Sequence, residues 1–165
     1  MNEKRKLTAI CLIFAIAVSG IAFPLGESTM AKAADYGISS PVIDKKQGIT
    51  TYDSIYFGNY WQNDTNGDGV ADQQDKKEPI KWRVLSVEGD EALLLADQNL
   101  DCQPYHKDKY EIVTWETCTL RAWLNGEFYD AAFSEEEKRS IPITTLSNQT
   151  DSRYQADGGN DTQDK

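Results

Sequence analysis

The chain has 165 residues, with 27 acidic against 17 basic side chains and a formal net charge of −10. Phosphate backbones and anionic membrane surfaces select clustered Lys and Arg, so this balance excludes nucleic acid and acidic lipid as expected partners. Acidic and rich in Asp, the chain is suited instead to divalent cations.

Residues 1–33 read as a secretory signal of bacterial type. Lys4, Arg5 and Lys6 precede an apolar run over residues 7–23, and Ala31-Lys32-Ala33 supplies a small-x-small cleavage pattern. An uncleaved anchor is the other reading of so long a run, but Pro24, Gly26 and Ser28 ahead of the cleavage pattern favour removal. Cleavage removes four basic residues and two acidic ones, leaving 13 and 25, a net charge near −12. The mature part, one domain's worth of chain at most, is expected to be secreted or on the bacterial cell surface, with no membrane attachment and no assigned oligomeric state.

Residues 34–49 form a polar lead-in without helical or strand period. Residues 50–60, rich in Thr, Tyr, Ile and Phe, predict a first strand with Gly58 at its bend or end. Over residues 79–88, Ile80, Trp82 and Val84 alternate with Lys81, Arg83 and Leu85, which predicts a half-buried strand. Gly89-Asp90 is a tight-turn pair, and residues 92–96 complete a hairpin as a third strand. A loop with Pro104 and the single histidine, His106, leads to a helical stretch. There Leu120, Trp123, Leu124 and Phe128 share one helix face. Thr114 or Thr117 caps its start, and Asn125-Gly126 is its expected stop. Tyr129 and Phe133 lie in the connection, and Ser134 with Glu137 has the capping-box spacing of a short second helix. Residues 141–146 suggest a short edge strand, because Pro142 cannot donate to a ladder. Beyond residue 147 the chain is polar and carries little apolar surface.

The sharpest constellation is residues 64–75. Asp64, Asn66, Asp68, Asp72 and Asp75 place oxygen side chains at positions 1, 3, 5, 9 and 12 of a twelve-residue loop, with Gly69 at position 6. Val70 would add its backbone carbonyl. The expected cofactor is Ca²⁺, and the competing reading is an acidic solvated turn, since Asn, Asp and Gly also make turns. The spacing resembles thrombospondin type 3 and dockerin-type calcium repeats. It departs from an EF-hand in having Asp at position 12, Ala71 in place of a larger apolar residue, and no flanking helices. Export permits a disulfide between Cys102 and Cys118, which would contribute about 3 kcal/mol; two reduced thiols are the other reading. No catalytic residues are assigned. His106 has no patterned nucleophile around it, and no phosphate loop, zinc spacing or nucleophile elbow occurs. Tyr52, Tyr56, Tyr60, Trp61, Tyr105, Tyr110 and Trp115 could build a sugar- or peptide-binding face.

Several blocks in order carry a resemblance: Ile55-Tyr56-Phe57-Gly58-Asn59-Tyr60, Pro79-Ile80-Lys81-Trp82-Arg83-Val84-Leu85, Leu93-Leu94-Leu95-Ala96-Asp97, Leu100-Asp101-Cys102-Gln103-Pro104-Tyr105, Thr114-Trp115-Glu116, Leu120-Arg121-Ala122-Trp123-Leu124-Asn125 and Gly158-Gly159-Asn160-Asp161. Together they resemble a family of exported bacterial domains of unknown function, distantly similar to the C-type-lectin-like and formylglycine-generating-enzyme fold. The resemblance implies that residues 50–165 are the N-terminal part of such a domain, and that the family continues with further strands. It supplies no catalytic residues. The fold expected is thus α+β, with antiparallel strands, one main helix and a short second helix, as an incomplete C-type-lectin-like domain. The function expected is an exported noncatalytic module binding carbohydrate or a cell-surface ligand. The alternatives are the N-terminal part of an extracellular enzyme of the formylglycine-generating type and a structural spacer. Mass spectrometry of secreted protein is expected to find a chain starting at Ala34 or Asp35; an intact Met1 contradicts the leader.

Overall fold

A computed structural model describes residues 15–19, 37–150 and 158–165. In chain order its strands are β1 (Ala15–Ser19), β2 (Val42–Asp44), β3 (Ile49–Thr51), β4 (Ser54–Tyr60), β5 (Glu78–Glu88), β6 (Glu91–Ala96), β7 (Thr144–Leu146) and β8 (Thr162–Asp164). The order β1-β6-β5-β4 makes one antiparallel sheet, and β2–β3 and β7–β8 are separate two-stranded ribbons. With helical segments between β6 and β7, the architecture is α+β. The rest of the expected leader lies outside the described residues, whereas β1, from its apolar run, pairs with β6. Among the described residues no helix is long and apolar enough to cross a membrane.

The period-2 pattern sets the sheet's inner face. Ile80, Trp82 and Val84 on β5 and Ala92, Leu94 and Ala96 on β6 are buried, while Lys81 and Arg83 on the opposite face pair with Asp97. The hairpin turns at Gly89-Asp90 as expected, and a bulge between Val84 and Ser86 ends the clean alternation. The first strand is shorter than residues 50–60 predict. It breaks at Tyr52-Asp53, where the Asp53 carboxylate accepts the amide and hydroxyl of Ser39, each at 2.8 Å. The residues before that break are β3, which pairs with β2; the lead-in expected to lack strand structure therefore forms one side of a ribbon.

The helical stretch also departs from expectation. Thr114 opens a 3-10 turn (Trp115–Thr117), and Cys118 caps α1 (Thr119–Trp123), its sulfur accepting the Arg121 amide at 3.4 Å. Asn125-Gly126 does not stop the helix. The chain continues through a π-helical segment (Leu124–Phe128) into α2 (Tyr129–Ala132). Asn125 is held there because its side-chain amide donates to Arg121 O at 3.0 Å and to Asp164 Oδ1 at 3.0 Å, so side-chain bonding replaces the left-handed exit. α3 (Glu135–Lys138) carries the expected Ser134–Glu137 capping box. Leu120 and Phe128 are buried, whereas Trp123 and Leu124 are only partly so.

Helix and sheet meet through aromatic rings. Phe133 lies 5.2 Å from Phe57, 6.4 Å from Trp82 and 6.1 Å from Phe128, and Phe128 lies 5.1 Å from Tyr60. Each such pair contributes about 0.5–1.5 kcal/mol beyond burial. The contact requires a bulge in β4 between Tyr56 and Asn59, where Gly58 adopts φ +73°. The bulge turns Phe57 O toward Trp82 Nε1, which donates to it at 2.6 Å, and lets Gly58 N donate to Glu137 Oε1 at 2.8 Å. A Cβ on Gly58 would stand 2.6 Å from Phe133 Cε1 and 2.9 Å from Ala132 O. Gly58→Ala is therefore expected to lose about 2–4 kcal/mol, from the positive φ and the overpacking together. Gly126→Ala, where a Cβ meets nothing within 4 Å, is expected to be neutral or stabilising. Urea midpoints at unchanged slope measure both.

Candidate functional site

Beside the aromatic core opens a cleft of about 540 Å³. Its walls come from the C-terminal end of β4 and its exit (Tyr60, Trp61, Gln62), from the acidic loop (Ala71, Asp72, Gln73), from residues 99–103, and from Trp123 and Glu127. Gln103, Trp123 and Glu127 also border an adjoining hollow of about 450 Å³, which runs on to Pro104, Lys107 and Gly126. The π-helical segment presents Glu127 here, and π turns often mark functional positions.

The aromatic chain that fastens the helix continues into this cleft. Tyr60 and Trp61 rings lie 5.2 Å apart, and Trp123 lies 5.4 Å from Phe128. Tyr60 donates its hydroxyl to Asp101 Oδ2 at 2.7 Å, and Asp101 Oδ1 accepts from Cys102 N at 2.6 Å and Gln103 Nε2 at 3.2 Å. Burial, with the carboxylates of Asp101 and Glu127 alongside, pushes the Tyr60 phenol far above its ordinary value. It therefore keeps its proton and acts as a donor. Gln62 Nε2 is tied to Glu78 O at 2.9 Å. The arrangement offers a ligand flat apolar faces, fixed carboxylates and amides.

The acidic loop is ordered by its own side chains. Asp64 Oδ1 accepts from Gly67 N at 2.6 Å and Asp68 N at 3.1 Å, and its Oδ2 accepts from Gly69 N at 2.7 Å. Asn66 Oδ1 takes the amide of Asp68, and Asp68 Oδ1 that of Val70. Gly69 sits at φ +97°, which a side chain would strain. Asp72 Oδ1 accepts from Gln74 N at 2.7 Å. Asp75, buried, accepts three donors on Oδ1 (Thr65 N, Thr65 Oγ1, Asn66 N) and one on Oδ2 (Asp72 N). The Asp72 amide foremost, then those of Asn66 and Thr65 and the Thr65 hydroxyl, hold its carboxyl below the usual range against the opposing effect of burial.

Cys102 and Cys118 are not bonded to each other. Cys102 is exposed; Cys118 is buried as the cap of α1, with its thiol donating to Trp115 O at 3.3 Å. Of the two readings the sequence leaves open, this structure has the two thiols. His106 Nδ1 accepts from Thr119 N at 3.2 Å, so its other nitrogen carries the proton and faces Glu111 Oε2 at 3.2 Å. His106, Asp108 and Glu111 bring ligand atoms within 4.8 Å of one another, but this tautomer turns an N–H, not a lone pair, to that cluster. Of the aromatics marked out in the sequence, Tyr60 and Trp61 line the cleft. Tyr52, Tyr56, Tyr105 and Tyr110 are exposed outside its lining, and Trp115 donates to Asp164. Sequence pattern does not single out Asp101, Gln103 and Glu127 as site residues. For Glu127 the available signal is its place one turn beyond Trp123 on the same helix.

Residues 89–165 match a family described as a domain of unknown function (DUF6273). No curated protein and no solved structure matches the chain. The matched segment supplies residues 99–103, Trp123 and Glu127 of the cleft, while Tyr60, Trp61 and the acidic loop precede it.

Proposed function

We propose that this protein is an exported, noncatalytic module that binds carbohydrate in the cleft between Trp61 and Trp123. The observation that carries the reading is the lining itself, in which Tyr60, Trp61 and Trp123 stand among Asp101, Glu127, Gln62 and Gln103. Sugars present apolar C–H faces ringed by hydroxyls, so aromatic planes with carboxylate and amide acceptors and donors at their edges suit them. The kinship to lectin-like domains belongs to the same proposal and is supported by the helix packed on one face of an antiparallel sheet.

The calcium loop is part of this reading. Asp64, Asn66 and Asp68 fit the first half of such a site in spacing, with Gly69 supplying the turn. Their oxygens are engaged by amides, however, and no three of Asp64, Asp68, Asp72 and Asp75 bring carboxylate oxygens within 4.8 Å of one another, so an ion would have to draw them together. Asp75 fits less well, because three donors on Oδ1 leave only Oδ2 with a lone pair to offer. Val70 would contribute its carbonyl, as the loop pattern requires. Asp72, between the two halves, also lines the cleft, so an ion bound by the loop would stiffen one cleft wall. Calorimetric titration with neutral and charged oligosaccharides, in millimolar calcium and in chelator, tests both parts. Binding is expected to fall about tenfold or more for Trp123→Ala, and calcium is expected to raise the melting temperature in the parent but not in Asp64→Ala. If no saccharide binds, the proposal fails; if melting ignores calcium, the loop is a solvated turn.

A further inference from the structure

His106 faces two environments that call for different protonation states. Its side chain is only 11% exposed, and its ring bridges the loop over residues 105–111 and the start of α1. On the helix side Nδ1 accepts the Thr119 amide at 3.2 Å, which requires a lone pair on that nitrogen. On the loop side Nε2 faces Glu111 Oε2 at 3.2 Å, with the Asp108 carboxylate in the same cluster. Neutral imidazole serves both sides at once, giving a lone pair to the amide and an N–H to the carboxylate. Imidazolium does not, because both ring nitrogens are then donors and the Nδ1 proton meets the Thr119 N–H. Little water reaches so enclosed a ring to relieve that clash. The bond at stake is one of three that fasten the loop to the helix: Leu120 N also donates to Tyr105 O at 3.2 Å, and Lys107 N to Thr119 Oγ1 at 3.0 Å. The other ionisable groups nearby are engaged elsewhere. On the loop, Lys107 stands 4.0 Å from Asp108, and burial beside Cys118 raises the Tyr105 phenol, which keeps its proton. On the helix side, the Cys118 sulfur is bonded to Trp115 O and Arg121 N, Glu116 accepts from Asn160, and Arg121 pairs with Asp164 at 2.6 Å.

From this we infer that His106 is a pH switch at the start of α1. A proton taken from solvent onto Nδ1 breaks the bond to Thr119, turns the cation to Glu111 and Asp108, and frees residues 105–107 from the helix. Lys107 and Thr119 border the smaller hollow beside the cleft, so the change opens one wall of that hollow, whatever the cleft binds. Imidazole is the side chain that changes charge between about pH 5 and 8, which sets the range of the test.

The test is NMR of the full chain from about pH 8 to pH 5, following the His106 ring nitrogens and the exchange protection of backbone amides. At the upper end Nδ1 is expected to be the unprotonated nitrogen; a proton found on it there overturns the inference. As the ring becomes charged, protection at Thr119, corrected for intrinsic exchange, is expected to fall about tenfold. Ala122, bonded within the helix to Cys118 O at 3.4 Å, is expected to keep its own. His106→Asn places a side-chain oxygen near the Nδ1 position and does not titrate, so it is expected to hold Thr119 protection level across the same range. Thr119 protection that stays constant while His106 takes up its proton overturns the switch. So does an equal loss at Ala122, which marks general fraying of α1, or an Asn variant that loses protection as the parent does. The parent titration decides by itself where the variant does not fold.

Discussion

A single carboxylate gathers the part of the molecule beyond β6. Asp164, at the end of β8, is buried and accepts two donors on each oxygen: Arg121 Nε at 2.6 Å and Asn125 Nδ2 at 3.0 Å on Oδ1, and Trp115 Nε1 at 3.0 Å and Thr162 Oγ1 at 2.7 Å on Oδ2. Arg121 also donates to Gln163 O at 2.9 Å, and Asn125 Oδ1 accepts from Lys165 N at 2.7 Å. The 3-10 turn, α1 and the π segment are thus fastened to β8, which pairs with β7. Burial by itself would raise the Asp164 pKa. The bonds from Thr162, Trp115 and Arg121, together with the Arg121 charge, outweigh that and hold it below the usual carboxylate range. Removing the carboxylate would leave a partly buried guanidinium short of its partner, the more costly side of such a pair.

The position of the helix decides the shape of the cleft. Fastened at Asp164, the π segment holds Phe128 against Tyr60 and sets Trp123 and Glu127 beside residues 99–103. On the sheet side, the Gly58 bulge lets Phe133 settle against Phe57, so the same aromatic series that closes the core ends in the cleft wall. Packing and recognition therefore share residues, and a change at Phe128 would disturb both.

The sequence makes some of this legible. The alternation from Ile80 to Val84, the Gly89-Asp90 turn and the Ser134–Glu137 box are local signals, and the structure follows them. Other features depend on distant partners. β8 is buried through Thr162 and Asp164, polar residues whose burial is sustained by hydrogen bonds from residues about forty positions away. No hydrophobic period can announce such a strand. Asn125-Gly126 reads as a helix end because both residues favour one locally; Asp164, met only after folding, carries the helix through. Gly158 and Gly159 look like loop residues, yet a Cβ at either would collide with Asn148 or Thr114, so close packing requires them. Asp101 and Cys118 are likewise visible as residue types but not as a hydrogen-bonded cleft carboxylate and a helix cap.

The dependence on Asp164 is measured most directly by a double-mutant cycle with Arg121→Gln and Asp164→Asn, read by chemical denaturation at pH 7 and at about pH 3. A folded-state pKa below the unfolded value near 3.9 stabilises the fold above that value, and the stabilisation is lost as pH falls through the folded one. The expected coupling is about 1.5–3 kcal/mol at pH 7, shrinking on acidification. A coupling within about 0.3 kcal/mol of zero at pH 7 would contradict the central role given to this carboxylate.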